Sequence, residues 1–138
     1  MSYQAQTIPN ELKKLPQWVC SGTDKIPINP LTGQRADPMN PSTWATFEDA
    51  VNSGKPHIGF CLHQHDPYCI IDLDDKADKP ATDEQRKRFA AIMNSIDSYT
   101  EISQSGTGIH IVCKGSVPSG VKRDNVEVYS WGRYMIFT

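Results

Sequence analysis

Short apolar runs, then a single periodic helix, then further short apolar runs predict an α+β domain, with a mainly antiparallel sheet and flanking helices. Three observations carry this. Runs rich in Val, Ile and Tyr are bounded by Gly, Pro and Ser, as in HIGFCL, YCIIDLD and GIHIVCKG. QRKRFAAIMNSI repeats Phe89, Ile92, Met93 and Ile96 at helical spacing. The length of 138 residues, 38% hydrophobic and 22% charged, suits a single domain, 1–138, with a core of its own.

The elements follow in order. QWVCS, between Pro16 and Gly22, reads as a strand. KIPINPLTGQRADPMNP holds four prolines, each removing a ladder donor, and reads as edge strand or ordered loop. Thr46 and Asp49 have capping-box spacing before a short helix that Gly54 ends, with Phe47, Ala50 and Val51 as its buried stripe. HIGFCL (57–62) and YCIIDLD (68–74) read as a hairpin or close neighbours. Thr82 and Gln85 form a second capping box at the start of the periodic helix. YTEIS, GIHIVCKG, NVEVYS and RYMIFT complete the strands.

Fourteen Lys and Arg against sixteen Asp and Glu give a net charge of −2, which excludes a uniformly basic coat for nucleic acid. Any such contact requires a local patch. The N-terminal stretch lacks a signal-peptide pattern, and no apolar run approaches the roughly 20 residues that span a bilayer, so the chain reads as cytoplasmic and not membrane-bound. Cys20, Cys61, Cys69 and Cys113 have no zinc-like spacing and read as free thiols in the core. Trp18, Trp44 and Trp131 read as core or rim, and the His63-Gln64-His65-Asp66 tip as a solvated turn.

Three features carry possible chemistry. In YCIIDLD alternate residues share a face, so Asp72 and Asp74 stand side by side while Ile71 and Leu73 enter the opposite layer. A divalent cation would relieve the repulsion of the two carboxylates; a strand emerging into solvent yields the same pattern, with Asp75 and Asp78 as its solvated continuation. SQSGTGIH (103–110) offers glycine-flanked backbone amides and the side chains of Ser105, Thr107 and His110 to an anion, and equally fits a tight turn. Glu127, between Val126 and Val128, is a carboxylate in an apolar strand; a structural partner such as Lys114 or Arg133 would satisfy it, as would a metal shared with Asp72 and Asp74.

In this order and spacing IIDLDD, SYTEISQSGTGIH and VEVYSWGRYMIFT, preceded by LPQWV, KIPINPLTGQRA and DPMNPSTWATFEDA, resemble the N-terminal primase-polymerase domain of phage and plasmid replication proteins, in the archaeo-eukaryotic primase superfamily. The resemblance implies a palm core like that of RNA-recognition domains. It also implies a template-directed nucleotidyltransferase that adds nucleotides from NTP or dNTP by two-metal catalysis with Mg²⁺ or Mn²⁺, releasing pyrophosphate. Asp72, Asp74 and Glu127 would then be the catalytic metal ligands. Ser105, Gly106, Gly108 and His110 would bind nucleotide phosphates, with Arg133 and Tyr134 near the nucleotide. Single-stranded DNA template and primer would follow a local basic surface, for which Lys114, Lys122, Arg123 and the Arg86-Lys87-Arg88 cluster are candidates. The chain would be an N-terminal fragment of a longer replication protein with downstream helical priming and helicase regions. A metal-dependent nuclease using the same carboxylates and a nucleotide- or single-stranded DNA-binding module without catalysis are the alternatives.

Overall fold

Trp18–Ser21 (β1) is buried along its whole length and lies inside its sheet, between two partner strands. It pairs antiparallel with Pro27–Ile28 (β2) and with His57–Cys61 (β3), and β3 pairs with Tyr134–Ile136 (β9), giving the order β2-β1-β3-β9. The proline-rich segment contributes only the two-residue edge strand β2, because its prolines cannot donate to a longer ladder. This computed structural model describes residues 3–138. The chain forms two compact units: one runs to Asp66 and resumes at Trp131–Thr138, and the other is Pro67–Ser130.

The first unit centres on Trp18, whose ring meets Phe47, Phe60 and Phe137 at centroid distances of 5.0, 5.3 and 5.3 Å. Its indole N–H donates to the Leu12 carbonyl at 3.0 Å, at the short helix Asn10–Lys13 (α1), so its one polar atom is satisfied while fully buried. Phe47–Asn52 (α2) starts at the expected capping box, with both reciprocal bonds between Thr46 and Asp49 formed.

In the second unit five antiparallel strands lie in the order β5-β6-β4-β8-β7. They are Tyr68–Asp74 (β4), Tyr99–Ile102 (β5), Gly108–Lys114 (β6), Val121–Arg123 (β7) and Val126–Tyr129 (β8). Asp83–Ser95 (α3) begins at the Thr82–Gln85 capping box. Phe89 of α3 joins Ile71, Leu73, Ala81 and Ile111 in a buried cluster, with Ile92, Met93 and Ile96 packed against it. The helix therefore covers the Ile71/Leu73 face of β4.

The α+β class and antiparallel sheets agree with the expectation, but two elements differ. β3 and β4 are not a hairpin: they lie in separate sheets, each finding its partners in distant segments. β7 was not foreseen, because all three of its residues are exposed and carry no hydrophobic alternation. Its pairing with β8 is set by the two-residue turn Asp124-Asn125, both at positive φ (52° and 66°), the backbone of a tight hairpin.

Candidate active site

Alternation along β4 puts Tyr68, Ile70, Asp72 and Asp74 on the face opposite α3. At one end this face is apolar: Tyr99, Val112, Ile70 and Tyr129 form a continuous cross-strand row. The next row is ionisable throughout. Glu101 pairs with His110, His110 with Asp72, Asp72 with Glu127, and Glu127 with Lys122, crossing all five strands. Directly opposed residues share a face with Cβ atoms roughly 5 Å apart, so these five side chains project to one side in order.

Distances within the row are short. His110 Nε2 lies 3.6 Å from an Asp72 carboxylate oxygen, and its Nδ1 lies 3.5 Å from Glu101 Oε1. The other Glu101 oxygen accepts from the Tyr99 hydroxyl at 2.9 Å. Exposure rises along the row, from 5% for the Glu101 side chain to 13% for His110 and 18% for Asp72. Asp74, one pleat further along β4, has Lys122 Nζ at 3.8 Å, and its backbone is clamped by Asn125: the Asn125 carbonyl accepts from Asp74 N–H, and the Asn125 amide donates to the Asp74 carbonyl.

Asp72 and Glu127 are thus direct partners, with Asp74 on the same face. The three are aligned rather than gathered: among the described residues, no group of three or more His, Cys, Asp or Glu is poised to hold a metal ion. The donor chemistry still fits Mg²⁺ or Mn²⁺, since these partly exposed groups offer carboxylate oxygens and no thiolate.

The 103–107 loop is the turn between β5 and β6. Gly106 N–H donates to the Ser103 carbonyl and Gly108 N–H to Ser103 Oγ, so both of these amides serve the turn itself. Ser103, Ser105 and Thr107 hydroxyls form a chain with 3.1 and 3.0 Å links. A Cβ on Gly108 would stand 2.9 Å from the Leu73 carbonyl, so this glycine lets β6 approach β4 beside the acidic pair.

The remaining candidates are placed as follows. Arg133 and Tyr134 belong to the first unit; the Tyr134 ring lies against Gly59 and its hydroxyl donates to the Lys25 carbonyl. Lys114 pairs in register with Tyr68, Lys122 sits beside Asp74, and Arg123 lies 3.8 Å from Asp124. In the helical basic cluster Arg86 binds Asp75 and Asp83, and Arg88 binds Asp124, so these guanidinium groups serve ion pairs within the fold. Asp75 is more than a solvated continuation of the strand: it accepts from Arg86 and from the Ala81 backbone, which holds its carboxyl below the usual range. The four cysteines are free thiols, three of them buried. The 63–66 tip is a turn capped by its own side chains, Asp66 accepting from the His63 N–H.

Glu101 was missed from sequence. A lone glutamate in YTEIS has no spacing signal, and only the β5–β6 register brings it to His110.

The sheet thus carries a carboxylate–histidine–carboxylate row on the face opposite α3, with the serine-rich turn at the end of the β5–β6 pair. No family model matches the chain. It is 36% identical, over 92% of its length, to a protein described as DNA primase-polymerase from Nitratiruptor phage NrS-1. The likeness read from the motifs is therefore borne out, and the chain is related to that protein, of which it spans 20%. Among the described residues no helix is long and apolar enough to cross a membrane.

Proposed function

We propose that this chain is the nucleotidyltransferase part of a primase-polymerase, joining the α-phosphate of a nucleoside triphosphate to a primer 3′-hydroxyl with release of pyrophosphate. The observation that carries the reading is the register of Asp72 with His110 on one side and Glu127 on the other. That register sets Asp72, Glu127 and the His110 imidazole on one face of the sheet, which supports the reading.

In this reading Asp72, Asp74 and Glu127 hold Mg²⁺ or Mn²⁺. The bound cation would supply Lewis-acid polarisation of phosphoryl oxygens and neutralise charge. His110 Nε2 and the hydroxyls of Ser105 and Thr107 orient phosphate oxygens, while Gly106 and Gly108 shape the turn that presents them. No protein nucleophile is needed, since positioning and charge compensation carry the reaction. Lys114 and Arg123 act toward the single-stranded template. Lys122 Nζ stands 3.8 Å from Asp74 and offsets part of its charge.

The test is extension of a labelled primer on single-stranded DNA with dNTP or NTP and Mg²⁺ or Mn²⁺. The parent is compared with an Asp72→Asn, Asp74→Asn double variant shown to be folded. Metal-dependent lengthening by the parent alone supports the proposal. Shortening of the primer would favour the nuclease, and nucleotide binding without any change in length would favour the binding module.

A further inference from the structure

Three segments of the first unit, distant in sequence, close around a cavity of about 200 Å³: 38–44 in the proline-rich stretch, 62–64 after β3, and 131–132 ahead of β9. Its walls are fixed by hydrogen bonds of the fold itself. The Trp44 indole N–H donates to the Asp37 carbonyl, the Met39 N–H to Asp37 Oδ1 and the His63 N–H to Asp66 Oδ2, each at 2.8 Å. The Leu62 N–H donates to the Arg133 carbonyl at 3.0 Å, which ties the chain leaving β3 to the chain entering β9. Gly132, at a φ of 73°, makes the turn that brings residues 131–132 against the proline-rich stretch, where a Cβ on it would stand 3.7 Å from Met39 Cγ. The lining combines ring and thioether surface with polar edges. Trp44 and His63 meet edge-on at 6.1 Å, and none of the lining residues carries a carboxylate. Met39 and Trp131 are 63% and 38% exposed, so large apolar surface is left toward solvent at this cavity.

The size of the cavity narrows its ligand. Sites that enclose a whole small molecule span roughly 300–1,000 Å³, so this one takes a single ring system belonging to something larger. Single-stranded DNA offers such rings in series, each base with a face that stacks on aromatic side chains and an edge that hydrogen-bonds. The polar groups suit any base edge: His63 Nδ1 accepts from the His65 N–H at 3.1 Å, which leaves Nε2 to donate, and the Gln64 amide both donates and accepts. A lining without carboxylates also suits a polyanion. We infer that this cavity is a base-stacking subsite for single-stranded DNA, in which one unpaired base lies against Trp131 and Met39 with its edge toward His63 and Gln64. The inference rests on the proposed reaction for its ligand, but not for its geometry.

The experiment measures binding of a labelled oligothymidylate of about 15 nucleotides at one fixed salt concentration, beside a strand of equal length whose bases are all replaced by abasic tetrahydrofuran. The proteins are the parent, Trp131→Ala, Trp131→Phe, Met39→Ala and the Asp72→Asn, Asp74→Asn variant. Trp131→Ala should lower affinity for the thymidine strand about tenfold, the scale of one stacked base, and should leave the weaker binding of the abasic strand unchanged. Trp131→Phe keeps a stacking ring and should keep most of the affinity. Met39→Ala should lose about threefold, and it keeps the test open if Trp131→Ala does not fold. Unlabelled thymidine strand should quench the tryptophan emission of the parent, and most of that quench should be absent from Trp131→Phe. A parent that does not hold the strand, or an affinity unchanged in both Trp131→Ala and Met39→Ala, overturns the inference. So does an equal loss on the abasic strand, which would mean a backbone contact. Emission quenched by a free deoxynucleoside triphosphate and not by the strand overturns it too, since the cavity would then take the base of the incoming nucleotide. The Asp72→Asn, Asp74→Asn variant should bind and quench like the parent, so failure of the parent to extend a primer while it still holds the strand through Trp131 would count against the proposed reaction alone.

Discussion

Asp72 and Glu127 stand directly opposite each other across β4 and β8, two carboxylates in register on the face of the sheet that α3 does not cover. Like charges so placed repel, and on the proposed reading a cation between them would convert that repulsion into binding. A divalent cation that binds only the folded state raises stability by about 2.7 kcal/mol at 100 times its dissociation constant. The urea midpoint of the parent should therefore rise on adding Mn²⁺, and that of an Asp72→Asn, Glu127→Gln variant should not. Equal rises in both would move the cation to other ligands.

The Asn125 clamp gives a second prediction, because this residue does two things at once. Its positive φ closes the β7–β8 hairpin, and its side-chain amide donates to the Asp74 carbonyl at 3.1 Å. Asn125→Gly keeps the turn and loses only the amide, whereas Asn125→Ala loses the amide and also strains the left-handed backbone by about 1 kcal/mol. Urea unfolding should show Asn125→Ala less stable than Asn125→Gly by about that amount. Both should bind the divalent cation more weakly than the parent, since each loosens the backbone that carries Asp74.

Local signals in the chain translated well into structure. Both capping boxes are written in residues three apart, and both form as spaced. The shared face of Asp72 and Asp74 follows from strand alternation alone. What depended on long-range pairing was less legible. β3 and β4 are neighbours in sequence and both apolar, yet one is completed by β9 and the other by β6 and β8. Glu127 could be oriented relative to its own valines, but not matched to Asp72, because β8 lies some fifty residues beyond β4 and no local turn links the two strands. Glu101 combines both difficulties, being a single polar residue whose meaning lies on the neighbouring strand.

Tyr134 tests how tightly a candidate nucleotide residue is held by its own unit. Its ring lies so close over Gly59 that a Cβ there would be 2.5 Å from a ring carbon and 3.0 Å from the Met135 carbonyl. Gly59→Ala should cost about 1–3 kcal/mol, as overpacking does. In a Tyr134→Ala background the ring clash is absent, so the same substitution should cost less, leaving only the approach to the Met135 carbonyl. A double-mutant cycle in urea measures this coupling, and a coupling of zero would mean that the ring does not rest on Gly59.

Asp75 closes the strand that bears the acidic pair and joins it to the start of α3. Its carboxylate accepts from Arg86 Nε at 2.9 Å and from the Ala81 N–H at 2.9 Å, and these bonds hold its pKa below the ordinary carboxylate value. A group whose pKa is lowered by folding contributes stability that is fully present above its unfolded value, about 3.9. That contribution is lost as the pH falls through the lower, folded value. The parent should therefore lose stability between about pH 4 and pH 2 partly through Asp75, and Asp75→Asn, which has no charge to lose, should show a shallower decline over the same range. At pH 7 the variant lacks the ion pair and should be the less stable of the two, and the difference should shrink as the pH falls. Urea midpoints at pH 7, 4 and 2.5 measure both limbs, and parallel curves for the two proteins would mean that the Arg86 contact contributes nothing in solution.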